Sequence, residues 1–146
     1  MASFVYKTMI PCSTRHLAAV RRFVEDHARE ANLPPDSVEQ CKLAADEACS
    51  NVIKHAYRCD EHQQIEVAVI LDDERFTVRI RDEGLPFLSD LYREPDIAAA
   101  LKQRRRGGLG VRIMRNLMDE VRYRKRGKVN EVRLTKYLNG EGARKR

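Results

Sequence analysis

The spacing of apolar residues changes period along the chain, and each change marks an element. Phe4, Tyr6 and Thr8 alternate with Val5 and Met9, which predicts a short strand ending at Pro11. Leu17, Val20, Val24 and Ala28 then recur at helical spacing, so a helix is expected over about residues 15–31, capped by Ser13 or Thr14. Asn32-Leu33-Pro34-Pro35 stops it, because proline restricts both itself and the residue before it. A second helix begins near Asp36 or Ser37 and runs to about Tyr57, with Val38, Cys41, Ala44, Ala45, Ala48, Val52 and Ile53 as its apolar stripe.

Beyond that helix the period falls to two. Ile65–Leu71, the turn Asp72-Asp73-Glu74 and Phe76–Ile80 read as a β-hairpin. Asp82-Glu83-Gly84-Leu85-Pro86-Phe87 is expected to break the second strand, and residues 88–106 read as a polar loop with a helical patch from Ile97 to Leu101. Gly107-Gly108-Leu109-Gly110 opens a helix through about Met118, and Val121–Arg126 with Glu131–Leu138 forms a final hairpin about Gly127. The fold class is therefore α+β, a two-layer sandwich with helices on one face of a mixed, mainly antiparallel sheet. One domain over residues 1–138 is expected, followed by a disordered basic tail at 139–146.

Composition narrows the classes. With 42% hydrophobic and 34% charged residues in 146, the chain can build one core, and wholesale disorder is excluded. No apolar run approaches the ~20 residues that span a bilayer, and no charged-then-apolar leader opens the chain. A cytoplasmic protein without a membrane partner is expected. Cys12, Cys41, Cys49 and Cys59 show no C-x-x-C pair and read as reduced thiols. A zinc site from Cys49, His55, Cys59 and His62 matches no common finger spacing.

The net charge of +6 is uneven. Residues 102–128 hold eleven bases against two acids, a net of +9, which leaves the rest of the chain at −3. Such a segment invites an anion. Nucleic acid is the weaker candidate, because Tyr123 is the only aromatic residue in the segment and stacking platforms are scarce.

Three elements carry candidate chemistry. Glu47 and Asn51 lie at i and i+4 on the second helix, with His55 at i+8, so one helical face presents all three. An Asn carbonyl suits Mg²⁺, and a carboxylate one turn earlier can accept a proton from an attacking hydroxyl; a solvated amphipathic face is the bland alternative. Asp82, at a strand end and followed by Gly84, can accept from an exocyclic amino group such as adenine N6, or can simply start a turn. Gly107, Gly108 and Gly110 before a helix let backbone N–H groups approach phosphate, although the P-loop lysine and the Rossmann strand are both missing.

Order and composition together are more specific than any one element. Leu43–Tyr57, LAADEACSNVIKHAY, resembles the N box of the GHKL ATP-binding superfamily. Arg81–Phe87, RDEGLPF, resembles its first glycine box, and Arg106–Val121, RGGLGVRIMRNLMDEV, its second. Leu17–Pro34 also resembles the first helix of one branch, the bacterial anti-sigma-factor serine kinases of partner-switching systems, and the similarity covers about Phe4 to Leu138.

This resemblance implies a Bergerat, or histidine-kinase-like ATPase, fold that binds ATP and Mg²⁺. Asn51 would ligate Mg²⁺, Glu47 would be the general base, Lys54 would meet phosphate, and His55 would brace the helix. Asp82 would bind the adenine amino group, with Gly84 letting the base approach. Gly108, Leu109, Gly110 and Val111 would cradle phosphates, Gly107 would be a hinge, and residues 88–106 the ATP lid, with Arg104, Arg105 or Arg106 neutralising γ-phosphate charge. The implied substrate is a serine of a STAS-type anti-sigma-factor antagonist, and the implied target a sigma factor or another regulatory protein. A homodimer is implied too, with Arg21 and Arg22 of the first helix near the partner surface. The alternative function is a catalytically weak ATP-binding module acting by protein contact. A histidine kinase would need a phosphoacceptor helix for which the chain is expected to have no room.

Overall fold

The computed structural model describes residues 3–55, 63–83 and 114–138. Strand β1 (Phe4–Pro11) leads through a 3₁₀ turn at Thr14–His16 into α1 (Leu17–Glu30) and α2 (Pro35–His55). Strands β2 (Gln64–Leu71) and β3 (Arg75–Asp82) follow, and β4 (Glu120–Arg126) and β5 (Val129–Tyr137) close the chain. The sheet order is β1-β2-β3-β5-β4, and all four pairings are antiparallel. The expected α+β layering is present, and among the described residues the sheet contains no parallel pair.

Local chemistry sets the boundaries. The Ser13 hydroxyl accepts from the Arg15 N–H at 3.3 Å, so the expected cap serves the 3₁₀ turn before α1. α1 ends in a left-handed residue, Asn32 (φ 63°): the Leu33 N–H donates to the Ala28 carbonyl at 3.1 Å and that of Asn32 to Arg29 at 3.0 Å. This is a Schellman stop, which Asn tolerates and the following prolines reinforce. In the β2–β3 turn one Asp72 carboxylate oxygen accepts from the N–H groups of Glu74 and Arg75, each at 2.8 Å. Gly127 takes φ 56° in the β4–β5 turn, where a side chain would be strained.

The two sheet faces differ. Ile65, Val67, Val69, Phe76, Val78, Ile80, Val132 and Leu134 point to the helices and form the core with Val20, Val24 and Ala28 of α1. α2 meets them through Cys41, Ala44, Ala45, Ala48, Cys49 and Val52, and these small side chains let the helix lie close to the sheet. Arg21 bridges to Asp46 at 2.5 Å and Glu25 to Lys42 at 3.1 Å, fastening α1 to α2. Arg21 is thus paired within the chain while its side chain stays 43% exposed, and Arg22 is exposed.

One expectation fails. Cys12 is disulfide-bonded, not reduced, whereas Cys41 and Cys49 are buried free thiols. Disulfide pairing is a matter of proximity in space, which cysteine spacing along the chain does not report. Burial pushes the Cys41 thiol up to about 12, and pushes Cys49 up as well, so both remain protonated apolar fillers.

Candidate functional site

Asn51 sits where α2 turns its flank toward the sheet, between buried Cys49 and Val52. Its side chain is 3% exposed, yet its amide nitrogen has no hydrogen-bond partner. A stranded buried donor costs about 1–3 kcal/mol, so such a group marks a place where a ligand or water completes the bond. Glu47, one turn earlier, is half-buried, and Lys54, nearly one turn later, is exposed. The neighbouring Asp46 is committed to Arg21, which leaves Glu47 as the acid of this stretch with a side chain available to a ligand.

Asp82 stands at a strand end, as its sequence suggests, and closes β3 as a paired residue opposite Asn130 of β5. It is 7% exposed, and one carboxylate oxygen accepts from the Asn130 amide at 3.3 Å. Cross-strand pairing extends the strand past the Ile80 boundary that apolar alternation suggests. Asn130 was not visible as a site residue, because its partner is 48 positions away in sequence.

A cavity of about 580 Å³ opens beside Asp82, and its walls include Val52 of α2, Ile65 of β2, Val129 of β5 and Cys12 after β1. The lining is mixed: Glu66, Arg81 and Glu83 share it with the apolar side chains, and Asp82, fixed by Asn130, offers a flat heteroaromatic ring an acceptor for an amino group. Glu47 and Asn51 do not line this cavity; Val52, next to Asn51 on the helix, does. Burial raises the Cys49 thiol first, and the carboxylates of Asp46 and Asp82 add to it, so the Asp82 field reaches α2 two residues before Asn51. The helix bearing Glu47 and Asn51 thus adjoins the strand end bearing Asp82. Carboxylate and amide oxygens at Glu47 and Asn51 are the hard donors that Mg²⁺ prefers, and the orphaned Asn51 amide fits a site completed by a ligand.

Several expected site residues lie outside the described residues: Gly84, Gly107, Gly108, Leu109, Gly110, Val111, the 88–106 segment with Arg104, Arg105 and Arg106, and the side chain of His55. Among the described residues no cluster of three His, Cys, Asp or Glu side chains could hold a metal.

Comparison with known proteins agrees with the fold. The pattern describing the histidine kinase-like ATPase domain matches residues 10–136. The serine-protein kinase RsbW of Bacillus subtilis (strain 168) is 32% identical over 137 residues, covering 90% of this chain and 84% of the relative. RsbW of Listeria monocytogenes serovar 1/2a is 28% identical over 134 residues, covering 89% and 85%. Among solved structures, the RsbU and RsbW domains of Rv1364c from Mycobacterium tuberculosis superpose with a TM-score of 0.68 at 17% identity, over 92% of this chain and 32% of that one. The SiaB–SiaC complex from Pseudomonas aeruginosa gives 0.64 at 15% identity, over 89% and 88%. The chain belongs to the histidine kinase-like ATPase family. Within it, the chain is a serine/threonine protein kinase of the RsbW kind.

Proposed function

We propose that this kinase transfers the γ-phosphoryl group of ATP to a serine of a STAS-type anti-sigma-factor antagonist, and that it captures a sigma factor or an equivalent regulatory target in partner switching. The observation that carries the reading is the buried, unpartnered Asn51 amide on the helix beside the Asp82 cavity. Asp82, steadied by Asn130, accepts from the adenine amino group while Val52, Ile65 and Val129 hold the ring. The Asn51 carbonyl would hold Mg²⁺ and its amide nitrogen would donate to a phosphate oxygen, with Lys54 nearby. The metal, when bound, would supply charge neutralisation at the phosphates, and Glu47 takes the proton of the attacking serine hydroxyl. Gly84, Gly107, Gly108, Leu109, Gly110 and Val111 complete the site as the sequence resemblance implies.

Two companion readings follow. The kinase acts in the cytoplasm; no helix among the described residues is long and apolar enough to cross a membrane. It forms a homodimer through β1, where Phe4, Val5, Tyr6 and Met9 are 41–54% exposed, a density of apolar surface suited to a second copy.

Incubation with radiolabelled ATP and the antagonist is the decisive experiment. Label on a serine that Glu47→Gln removes, with ATP binding retained, is expected; Asn51→Ala should lose Mg-ATP binding itself. ATP binding by the unmodified protein with no label on any serine would instead identify a catalytically weak regulatory module.

A further inference from the structure

Strand β4 forms one border of the sheet, with β5 on its inner side and no partner on its outer side among the described residues. Register places Arg122, Arg124 and Arg126 on the face away from the helices, opposite Arg133, Glu131 and Val129. All three are exposed, and the side chain of Arg122 is 76% accessible. Among the described residues Arg122 is held by Glu120 of its own strand alone, at 3.0 Å. The nearby acid of β5 is already used: Glu131 accepts from Arg81 at 2.8 Å and from Arg133 at 3.0 Å. A cavity of about 390 Å³ at this border is lined by Arg115, Arg122, Arg124 and Arg133, with Glu131 the one acid among its walls.

Charged edge strands commonly keep sheets from pairing edge to edge. Arginines on an edge repel a second copy of the same edge, but they favour an acidic strand. Their spacing decides the kind of anion. Side chains two residues apart on a strand stand ~6.6–7 Å apart on one face, which is also the repeat of alternate side chains in an extended peptide. The backbone edge offers that peptide hydrogen bonds that a polynucleotide cannot use in register.

We propose that the outer edge of β4 is a docking site for an extended acidic segment of a partner protein. The segment adds to the sheet as a sixth strand and sets alternate carboxylates against Arg122, Arg124 and Arg126. This surface is separate from the Asp82 cavity, and the inference does not rest on the assignment of ATP to that cavity.

The test uses the full chain and a fluorescein-labelled peptide alternating glutamate with threonine, compared with its lysine counterpart and with single-stranded oligothymidine. The acidic peptide should raise fluorescence anisotropy in a salt-sensitive way and slow hydrogen exchange along Glu120–Arg126. The R122E/R124E/R126E variant should weaken binding by about tenfold or more, three exposed ion pairs acting together, while ATP affinity stays unchanged. Should that reversal unfold the chain, R122Q/R124Q/R126Q carries the same comparison. Undiminished peptide binding by a folded variant, protection on another element, or retention of oligothymidine without the acidic peptide would each overturn the proposal.

Discussion

The two borders of the sheet are built by the same pairing geometry and carry opposite chemistry. On β1, Phe4, Val5, Tyr6 and Met9 stand about half exposed, and Lys7 is the one charged residue of the strand. On β4, Arg122, Arg124, Lys125 and Arg126 stand in water with Glu120 as the one acid. β1 is further tied to the helical layer, where the Tyr6 ring stacks on His27 at 4.4 Å and His27 meets Phe23 edge-on at 4.7 Å. A border that loses by staying wet and a border that loses by drying out cannot serve the same contact. The first suits a second copy of the chain, and the second an anionic partner.

The strongest test concerns what the borders share. Phe76 is fully buried in β3, midway between them, and its ring fills the layer between sheet and helices. Phe76→Ala should cost about 3–5 kcal/mol, read as a fall in the urea midpoint, and should abolish both kinds of binding together. A loss below about 1 kcal/mol would mean that the borders are held by separate cores. Next in size is the apolar border itself. Val5→Asp with Met9→Asp should weaken the proposed homodimer by about thirtyfold, equivalent to the ~2 kcal/mol of a central interface residue. Light scattering across a dilution series measures it. An unchanged dimer would move that interface off β1.

How much of this contrast was legible in the chain depends on the range of the interactions. The strands and the two long helices are legible from periodicity, because Val20, Val24 and Ala28, or Val67 and Val69, report their own local geometry, whereas the 3₁₀ turn at Thr14–His16 has no periodic signal. Glu47 and Asn51 could be placed on one helical face for the same reason. The Asp82–Asn130 and Arg81–Glu131 pairs join positions far apart in sequence, and no spacing rule reports them. The charge excess is visible as a count, and strand alternation alone sets Arg122 and Arg124 on one face, but only the register of β4 against β5 shows that this face points away from the helices and stands opposite Arg133 and Glu131.

The inner support of the basic border gives a smaller, pH-dependent effect. Burial raises the Glu131 carboxyl, but hydrogen bonds from Arg81 and Arg133 outweigh it and hold the group below its ordinary 4.5. A folded value below the unfolded one stabilises the protein fully above about 4.5, and that contribution is lost as pH falls through the folded value. Glu131→Gln should therefore cost about 1 kcal/mol at neutral pH and flatten the acid limb of a melting-temperature profile. A variant whose acid limb matches the parent would show that Glu131 does not support the sheet through its charge.

The smallest expected effect separates fold from recognition most sharply. Arg122 faces Arg133 directly across the β4–β5 ladder, and like charges at opposed positions are destabilising. Its compensating bond to Glu120 is exposed, and exposed pairs contribute little. The two terms are similar in size and opposite in sign, so Arg122→Ala should change stability by no more than about 0.5 kcal/mol in urea. The same substitution should still weaken the acidic peptide measurably. A stability loss above about 1 kcal/mol would make Arg122 a residue that holds the sheet together, and the basic border would then need no partner to explain it.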